Sequence, residues 1–401
     1  MKDKLMSLWK SFSRSYALSA LLAIVVVDFV VRFSIAYWPI DHFNSPNRSW
    51  VWWAVRDFRQ SASDLKTKPD IVLMGSSLMM AAVHGGDATY LNQPQNVAFH
   101  HRSLVFEDLL EKKTGTKVNT FAFALGGQMA SDAYALTSTL LRNDDQPKAI
   151  IYGIAPRDFM DNTLASPAST ETFRYMSRLG GMEDVAWQSR SSFWEQVEFA
   201  FARISALYDH KLDFVYLQNK YVKDMLGCCP AFKDLESVHT PFALRKLALL
   251  ELPEDQGPND LMILPFKKEE YKFVDNLDEY RMRYRAFKPK LFELQLSFLE
   301  RMLKFCHERG TAVFLVNMPL TEENVKLMPP GFYDNYKQRI SNLASKYGAD
   351  VVDLNNADVF GKELFADSVH MNGAGGVRFF RELAEKTGVK AQAVAKRGRW
   401  Q

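Results

Sequence analysis

One long apolar segment near the start of the chain limits what this protein can fold into. Residues 16–38 read YALSALLAIVVVDFVVRFSIAYW. As an α-helix this segment extends roughly 34 Å, enough to cross the hydrocarbon core of a bilayer. Tyr and Trp side chains at both ends are typical of the membrane interface. The sequence therefore predicts a transmembrane helix over residues 16–38. A cleaved signal peptide is the alternative, because Ser34 and Ala36 have the small side chains of a cleavage site.

Two charged residues, Asp28 and Arg32, interrupt this apolar segment. They are four residues apart, so on a helix they share a face and can pair, which lowers the cost of a charge inside the membrane. Two interpretations stay open. The pair either neutralises itself or binds a protein partner in the membrane.

The charges around the segment predict its orientation. Residues 1–15 carry four cations and one acid, and an excess of positive charge favours the cytoplasmic side. We therefore expect residues 1–15 to be cytoplasmic. Everything after the apolar segment is expected in the periplasm or outside the cell, on a single-pass protein of the inner or plasma membrane.

The rest of the chain has ordinary globular composition, with 47% hydrophobic and 24% charged residues. The formal net charge of +3, without a long basic block, gives nucleic-acid binding no electrostatic support. Cys228, Cys229 and Cys306 form no CxxC pair, which excludes a zinc ribbon or a thioredoxin-like motif. A disulfide between Cys306 and one of the other two stays open in an oxidising compartment.

Strand and helix patterns alternate from residue 70 onward, after a juxtamembrane segment (39–69) whose tryptophans are expected to pack on the domain. Predicted strands cover 70–74, 118–124, 149–154, 311–316 and 350–354, and predicted helices cover 102–113, 128–142, 278–308, 332–347 and 373–386. This order predicts a flavodoxin-like, doubly wound parallel sheet in a three-layer α/β/α domain over residues 70–389. Residues 163–276 break the alternation and are predicted as an insertion, and residues 390–401 as a basic tail.

Unusual residues follow the predicted strands, at the sheet edge where ligands bind in such folds. Ser77 comes just after the first strand, where the hydroxyl is exposed and backbone N–H groups point at an incoming anion. Asp367 precedes His370 by three residues and can hold the imidazole in the tautomer that accepts the serine proton. We predict Ser77, His370 and Asp367 as nucleophile, base and orienting acid. A helix N-cap for Ser77 and a capping loop residue for Asp367 are the alternatives.

The same residues resemble the blocks of the SGNH/GDSL hydrolase superfamily. Residues 75–78, Gly-Ser-Ser-Leu, are similar to its Gly-Asp-Ser-Leu block, with serine in place of the aspartate. Residues 367–370 match its Asp-x-x-His block, and residues 153–158 stand where Gly-x-Asn-Asp is expected, without the asparagine. The resemblance covers about residues 70–154 and 310–388.

This resemblance implies an SGNH hydrolase-like fold in which Ser77 is acylated. It also implies an oxyanion hole made by Ser77 and by Gly126 or Gly127, which stand where the superfamily places its glycine. Because the asparagine is missing, a different side chain is expected to replace it, or the hole rests on backbone N–H groups alone. The expected replacements are Arg157, Asn162 and Asn317.

The layout of the chain is similar to the D-alanyl-transfer proteins of teichoic-acid modification and to alginate-type O-acetylation proteins. Both act beside a membrane-bound O-acyltransferase, so the resemblance implies such a partner and O-acylation of a cell-envelope polysaccharide or polymer. An esterase or deacetylase with the same triad, and a non-catalytic binding or assembly protein, are the alternatives. We expect no cofactor and no metal, because the histidines form no ligand spacing with carboxylates. These histidines are His84, His100, His101 and His307.

Overall fold

The computed structural model describes residues 16–37, 50–64, 66–142, 145–211, 214 and 261–397. The predicted cytoplasmic segment, much of the insertion and the pair Cys228–Cys229 lie outside these residues. The chain divides into two compact units. The anchor unit comprises Met1–Arg48 and Ser192–Gly257, and the sheet unit comprises Ser49–Ser191 and Pro258–Gln401.

The sheet unit is built on a parallel sheet. The strands of the described residues are β1 (Ile71–Gly75), β2 (Gln95–Asn96), β3 (Thr120–Ala124), β4 (Ala149–Ile154), β5 (Met262–Ile263), β6 (Ala312–Asn317) and β7 (Asp350–Asp353). Five of them form the main sheet in the order β3-β1-β4-β6-β7, all parallel, and β2 pairs with β5 separately. Counted along the chain, the main sheet has the order 2-1-3-4-5 of a flavodoxin-like fold. The predicted fold class is confirmed.

Helices cover both faces of this sheet, which explains why β1, β3 and β4 are buried and apolar along their whole length. The α-helices are α1 (Tyr16–Tyr37), α2 (Trp50–Ser63), α3 (Ser77–Met80), α4 (Gly86–Leu91), α5 (Leu104–Thr114), α6 (Ala130–Leu140), α7 (Glu171–Leu179), α8 (Glu183–Ala186), α9 (Phe193–Ile204), α10 (Ala206–Asp209), α11 (Leu277–Tyr284), α12 (Pro289–Glu308), α13 (Glu322–Val325), α14 (Phe332–Tyr347) and α15 (Gly373–Arg397). A π-helical segment, Ala81–Gly85, joins α3 to α4.

Two predicted helices differ from the observed ones. The helix predicted over 278–308 is divided into α11 and α12, because Pro289 begins a new helix and forces Lys288 into an extended conformation. The last helix was predicted to end at Lys386, but α15 continues to Arg397 through most of the predicted basic tail. Residues 390–397 contain alanine, lysine, glutamine and arginine without proline, and these residues favour helix.

Helix α2 shows where the juxtamembrane tryptophans lie. Trp53 and Phe58 are buried in the sheet unit, and the Phe58 ring packs at 5.2 Å from Phe121 and 5.1 Å from Phe123. This part of the segment therefore packs on the domain, as the sequence predicted.

A close helix crossing joins the segment after β1 to the last helix. A Cβ atom on Gly376 of α15 would lie 2.6 Å from the Ala82 carbonyl oxygen and 2.8 Å from the Gly86 nitrogen. Only glycine allows this backbone approach. Because α3 begins at Ser77 and α15 begins three residues after His370, this crossing sets the spacing between those two residues.

The anchor unit contains α1, whose window Tyr16–Ile35 has a mean hydropathy of 2.3 and is not buried by other described residues. This helix is long and apolar enough to cross a membrane.

Candidate active site

Ser77 is presented by a tight turn at the carboxyl end of β1. A Cβ atom on Gly75 would lie 2.7 Å from Met79 Cβ and 2.9 Å from the Gly153 carbonyl oxygen, so the turn requires glycine. Ser76 is buried at the N-cap and Ser77 is the first residue of α3, half-buried between buried neighbours. The turn thus leaves the Ser77 hydroxyl accessible at the start of a helix.

His370 links Ser77 to Asp367. Its Nε2 lies 2.8 Å from Ser77 Oγ, and its Nδ1 lies 2.7 Å from Asp367 Oδ2. The other oxygen, Asp367 Oδ1, accepts hydrogen bonds from the backbone N–H groups of Val369 (2.9 Å) and His370 (2.8 Å). One carboxylate oxygen therefore holds the loop and the other holds the imidazole, with Nε2 directed at the serine hydroxyl.

The environment of Asp367 keeps its carboxylate ionised. Burial alone would raise the pKa of Asp367, but the hydrogen bond and charge of His370 and the two backbone N–H groups lower that pKa below its ordinary value. An ionised Asp367 can stabilise the imidazolium that forms when His370 takes a proton.

Ser368, between the acid and the base, holds this loop in place and was missed by the sequence analysis. It is fully buried, and its N–H and hydroxyl donate to Asn276 Oδ1 at 3.0 and 2.5 Å. Its carbonyl accepts from Thr321 Oγ1 at 2.9 Å, and its hydroxyl from Asn324 Nδ2 at 3.2 Å. These partners come from distant segments, so no pattern in the sequence could identify them.

The glycine pair after β3 lies beside the turn that carries Ser77. The Leu125 N–H donates to the Gly75 carbonyl oxygen at 3.0 Å, and Gly127 has a φ of 77° that favours glycine. In the part of the chain that the structure describes, neither the Gly126 nor the Gly127 N–H donates a hydrogen bond to a protein acceptor. Both groups are therefore available as donors to a ligand at this edge of the sheet.

Arg157 supports the same glycine turn. Its Nη1 donates to the Gln128 carbonyl oxygen at 2.9 Å, and its Nε donates to Asp161 Oδ2 at 3.0 Å. A Cβ atom on Gly127 would lie 4.0 Å from Arg157 Nη2. The guanidinium group thus fixes the loop that carries Gly126 and Gly127.

The two asparagines expected as replacements are engaged elsewhere. Asn317 Nδ2 donates to Tyr333 Oη and to Asp353 Oδ1, each at 2.8 Å, which uses both of its amide hydrogens. Asn317 therefore cannot supply an oxyanion donor in this arrangement. Asn162 Nδ2 donates to the Arg283 carbonyl oxygen at 2.9 Å, on α11.

Two buried carboxylates adjoin the site. Burial raises the pKa of Asp158 to about 6, against the opposing charge of Arg157 and the Ser76 hydroxyl. Burial also raises the pKa of Asp132 to about 7, although it accepts hydrogen bonds from the Thr170 hydroxyl (2.5 Å) and the Met129 N–H (2.7 Å). Asp132 therefore caps α6 directly after the glycine turn.

Two of the histidines outside the triad, His84 and His100, are described by their surroundings. His100 Nε2 lies 2.7 Å from Asp87 Oδ2, and burial lowers the pKa of His84 to about 4. Among the described residues, no group of three or more His, Cys, Asp or Glu side chains is arranged to hold a metal ion. Cys306 is a buried free thiol.

The fold and the hydrogen-bonded series of Ser77, His370 and Asp367 define the class: a three-layer α/β protein with a serine–histidine–aspartate arrangement at the carboxyl ends of its strands. Residues 98–381 match the model of DUF1574, a family of proteins of unknown function, and the chain belongs to this family. The matched region includes Asp367 and His370 and begins after Ser77.

Curated proteins and solved structures were also compared with the chain. No curated protein matches the chain. Among solved structures, a Bacteroides fragilis protein described as a candidate acylhydrolase has a TM-score of 0.34 and 10% sequence identity, over 85% of this chain and 98% of that chain. The fold assignment rests on the strand order described above.

Proposed function

We propose that this protein is a serine-dependent acyl-transfer enzyme of the SGNH type, with Ser77 as the nucleophile. The observation that carries the proposal is the hydrogen-bonded series from Ser77 Oγ through His370 to Asp367. A serine hydroxyl is a poor nucleophile unless a base takes its proton, and His370 Nε2 is within reach of that proton.

In the proposed reaction, Ser77 Oγ attacks the acyl carbonyl while its proton moves to His370 Nε2. The tetrahedral oxyanion accepts hydrogen bonds from the Ser77 N–H and from Gly126 or Gly127, and each such donor contributes about 2.7–4 kcal/mol. His370 then protonates the leaving group, which leaves an acyl-enzyme. An acceptor hydroxyl then gives up its proton to His370 and attacks the ester carbonyl. As the bond from the carbonyl carbon to Ser77 Oγ breaks, His370 returns the proton to Oγ, which releases the acylated acceptor and regenerates Ser77.

We further propose that the acyl acceptor is a polysaccharide or other polymer of the cell envelope. The apolar helix α1 supports a membrane location, and the cations of residues 1–15 support a sheet unit outside the cytoplasm. A membrane-bound O-acyltransferase is the proposed source of acyl groups, because activated donors are made in the cytoplasm and Ser77 would act on the other side.

Covalent labelling tests the nucleophile. The full chain in detergent is treated with a fluorophosphonate probe, alongside Ser77→Ala and its neighbour Ser76→Ala as a matched control. We expect wild type and Ser76→Ala to be labelled, and Ser77→Ala to remain unlabelled. A folded wild-type protein that takes no label would contradict the proposal and favour a binding or assembly role.

Acylation in cells tests the acceptor. In cells lacking the protein, wild type should restore O-acyl groups on envelope polysaccharide and Ser77→Ala should not. If neither changes polymer acylation but the purified protein hydrolyses small acyl esters, the enzyme is an esterase and the transferase proposal is wrong.

A further inference from the structure

The two charges of the apolar helix α1 bind a corner of the anchor unit's own chain. Asp28 Oδ1 accepts hydrogen bonds from Ser205 Oγ at 2.6 Å and from the Leu207 N–H at 2.9 Å. Arg32 Nη2 donates to the Ile204 carbonyl oxygen at 2.5 Å. Ser205 separates α9 from α10, so we call Phe193–Asp209 the helical corner.

Asp28 and Arg32 make shorter contacts with the corner than with each other. Asp28 and Arg32 are 4.0 Å apart, which is longer than the hydrogen bonds that each makes with the corner. The acid lies at the start of α10, where it accepts the Leu207 N–H, and the cation lies at the end of the twelve-residue helix α9, where it complements the helix dipole. Within the described residues, the corner is therefore the main partner of both charges.

Several polar groups at the junction around Ser205 have hydrogen-bond partners within the protein. The Ser205 N–H donates to the Phe201 carbonyl at 2.8 Å, and Ser205 Oγ accepts from the Tyr208 N–H at 3.1 Å. The Ile204 carbonyl and the Leu207 N–H are bound by Arg32 and Asp28 of α1, so four backbone groups at the junction between the helices have protein partners in place of water. That is the condition for irregular backbone within a bilayer.

The exposed side chains of the corner include four large apolar ones. Phe193, Trp194, Phe201 and Ile204 are 70%, 72%, 56% and 73% exposed. Both carboxylates of α9 accept hydrogen bonds: Glu195 from the Ser192 N–H, just before the corner, at 2.9 Å, and Glu198 from Tyr208 Oη at 3.1 Å. The Arg203 guanidinium lies over the Phe199 ring, 5.4 Å from its centroid. A cluster of exposed aromatic and aliphatic side chains of this size suits lipid better than water.

The position of Asp28 along α1 gives the depth of the helical corner in the bilayer. It lies nine residues before the end of α1 at Tyr37, which at about 1.5 Å per residue is about 14 Å along the helix. In a hydrocarbon core about 30 Å thick, Asp28 and the junction that it binds lie near the middle.

We infer that the helical corner Phe193–Asp209 is embedded in the membrane beside α1, with its exposed aromatic side chains in contact with lipid acyl chains. The inference requires that α1 crosses the bilayer, and it is independent of catalysis at Ser77. The predicted insertion thus contributes a second membrane contact, held to the anchor by Asp28 and Arg32.

Spin-label accessibility in liposomes tests the inference. The full chain, with Cys228 and Cys229 changed to serine and Cys306 to alanine, receives one label at Ile204→Cys, Leu22→Cys or Leu264→Cys. Leu22 on α1 and Leu264 in the sheet unit are 65% and 66% exposed, so they are matched references for lipid and water. We expect Ile204 to resemble Leu22, with high collision with oxygen and low collision with a polar nickel chelate.

The reference labels distinguish an error about the corner from an error about α1. If Leu22 reports lipid and Ile204 reports water like Leu264, the embedded corner is wrong. If Leu22 itself reports water, α1 does not cross the membrane and the inference fails at its first step.

The contact between Asp28 and the helical corner is tested by a separate pair of variants. Asp28→Ala should release the corner and raise the collision of the Ile204 label with nickel several-fold, whereas Asp28→Asn keeps an acceptor and should change it little. An Ile204 label that stays in lipid in both variants would overturn the role of Asp28. Fluorophosphonate labelling of Ser77 in the same samples reports separately on the sheet unit.

Discussion

The substitution Asp367→Asn should disturb the orientation of the His370 imidazole and leave the folding of its loop intact. Asp367 Oδ1 accepts the Val369 and His370 N–H groups, and Oδ2 alone accepts the imidazole Nδ1. An asparagine can place its carbonyl oxygen at the Oδ1 position and keep both backbone bonds. Its amide nitrogen then faces His370 Nδ1 as a donor, which requires the ring to carry its hydrogen on Nε2.

A ring protonated on Nε2 directs a hydrogen at Ser77 Oγ and cannot accept the serine proton. The same exchange in a serine-protease triad lowers turnover by about 10⁴-fold. That factor corresponds to about 5.4 kcal/mol of lost transition-state stabilisation. We expect a loss of this size in Asp367→Asn, with thermal unfolding close to that of wild type.

The assay is the rate of fluorophosphonate labelling of the purified full chain, with hydrolysis of a small acyl ester as a second measure. Asp367→Ala is the informative companion, because it also removes the acceptor of two backbone N–H groups and should cost about 1–3 kcal/mol of stability. Asp358→Asn neutralises an exposed carboxylate in the loop after β7 and serves as the control. If Asp367→Asn labels at the wild-type rate, Asp367 is only a loop residue and the proposed role of the triad is wrong.

Three further predictions concern packing, pH and topology. Gly376→Ala should lower stability by about 1–3 kcal/mol because its Cβ meets backbone atoms. Gly388→Ala on the same helix meets the flexible Lys113 side chain at 3.0 Å and Leu110 at an ordinary contact distance of 3.6 Å, so it should be neutral or stabilising. Thermal unfolding of both variants checks this. Because the folded state raises the pKa of Asp132 to about 7, it binds a proton that the unfolded chain releases, so stability should fall between pH 4 and pH 7. Asp132→Asn should flatten that dependence in denaturant titrations at pH 5 and pH 8, and an unchanged slope would contradict the assignment. An alkaline phosphatase fused after residue 401 should be active, and activity confined to a cytoplasm-specific reporter would refute the orientation.

The order of elements could be read from the sequence because buried parallel strands are short apolar runs between helices. The strand at Ala149–Ile154 and the helix at Phe332–Tyr347 lie where the pattern predicts them. The end of one helix before Pro289 could have been predicted from the proline itself, but the apolar periodicity on both sides of it favoured one continuous helix.

Only part of the candidate active site could be predicted from the sequence. Asp367 and His370 are close in sequence, so their relation could be predicted from spacing. The support of that loop through Ser368 depends on three residues from two distant segments, around Asn276 and around Thr321. The loss of Asn317 as a donor depends on Tyr333 and Asp353. Such long-range hydrogen bonds leave no local signal.

The contact between Asp28 and Ser205 bears on how a water-soluble fragment of this protein should be designed. Deletion of residues 1–48 removes α1 but leaves the helical corner, whose exposed aromatic side chains would then lack the contacts with Asp28 and Arg32. We expect such a fragment to aggregate or to require detergent. A fragment that also lacks the helical corner would discard both parts of the proposed membrane contact, which are far apart in the sequence and joined by hydrogen bonds in the structure.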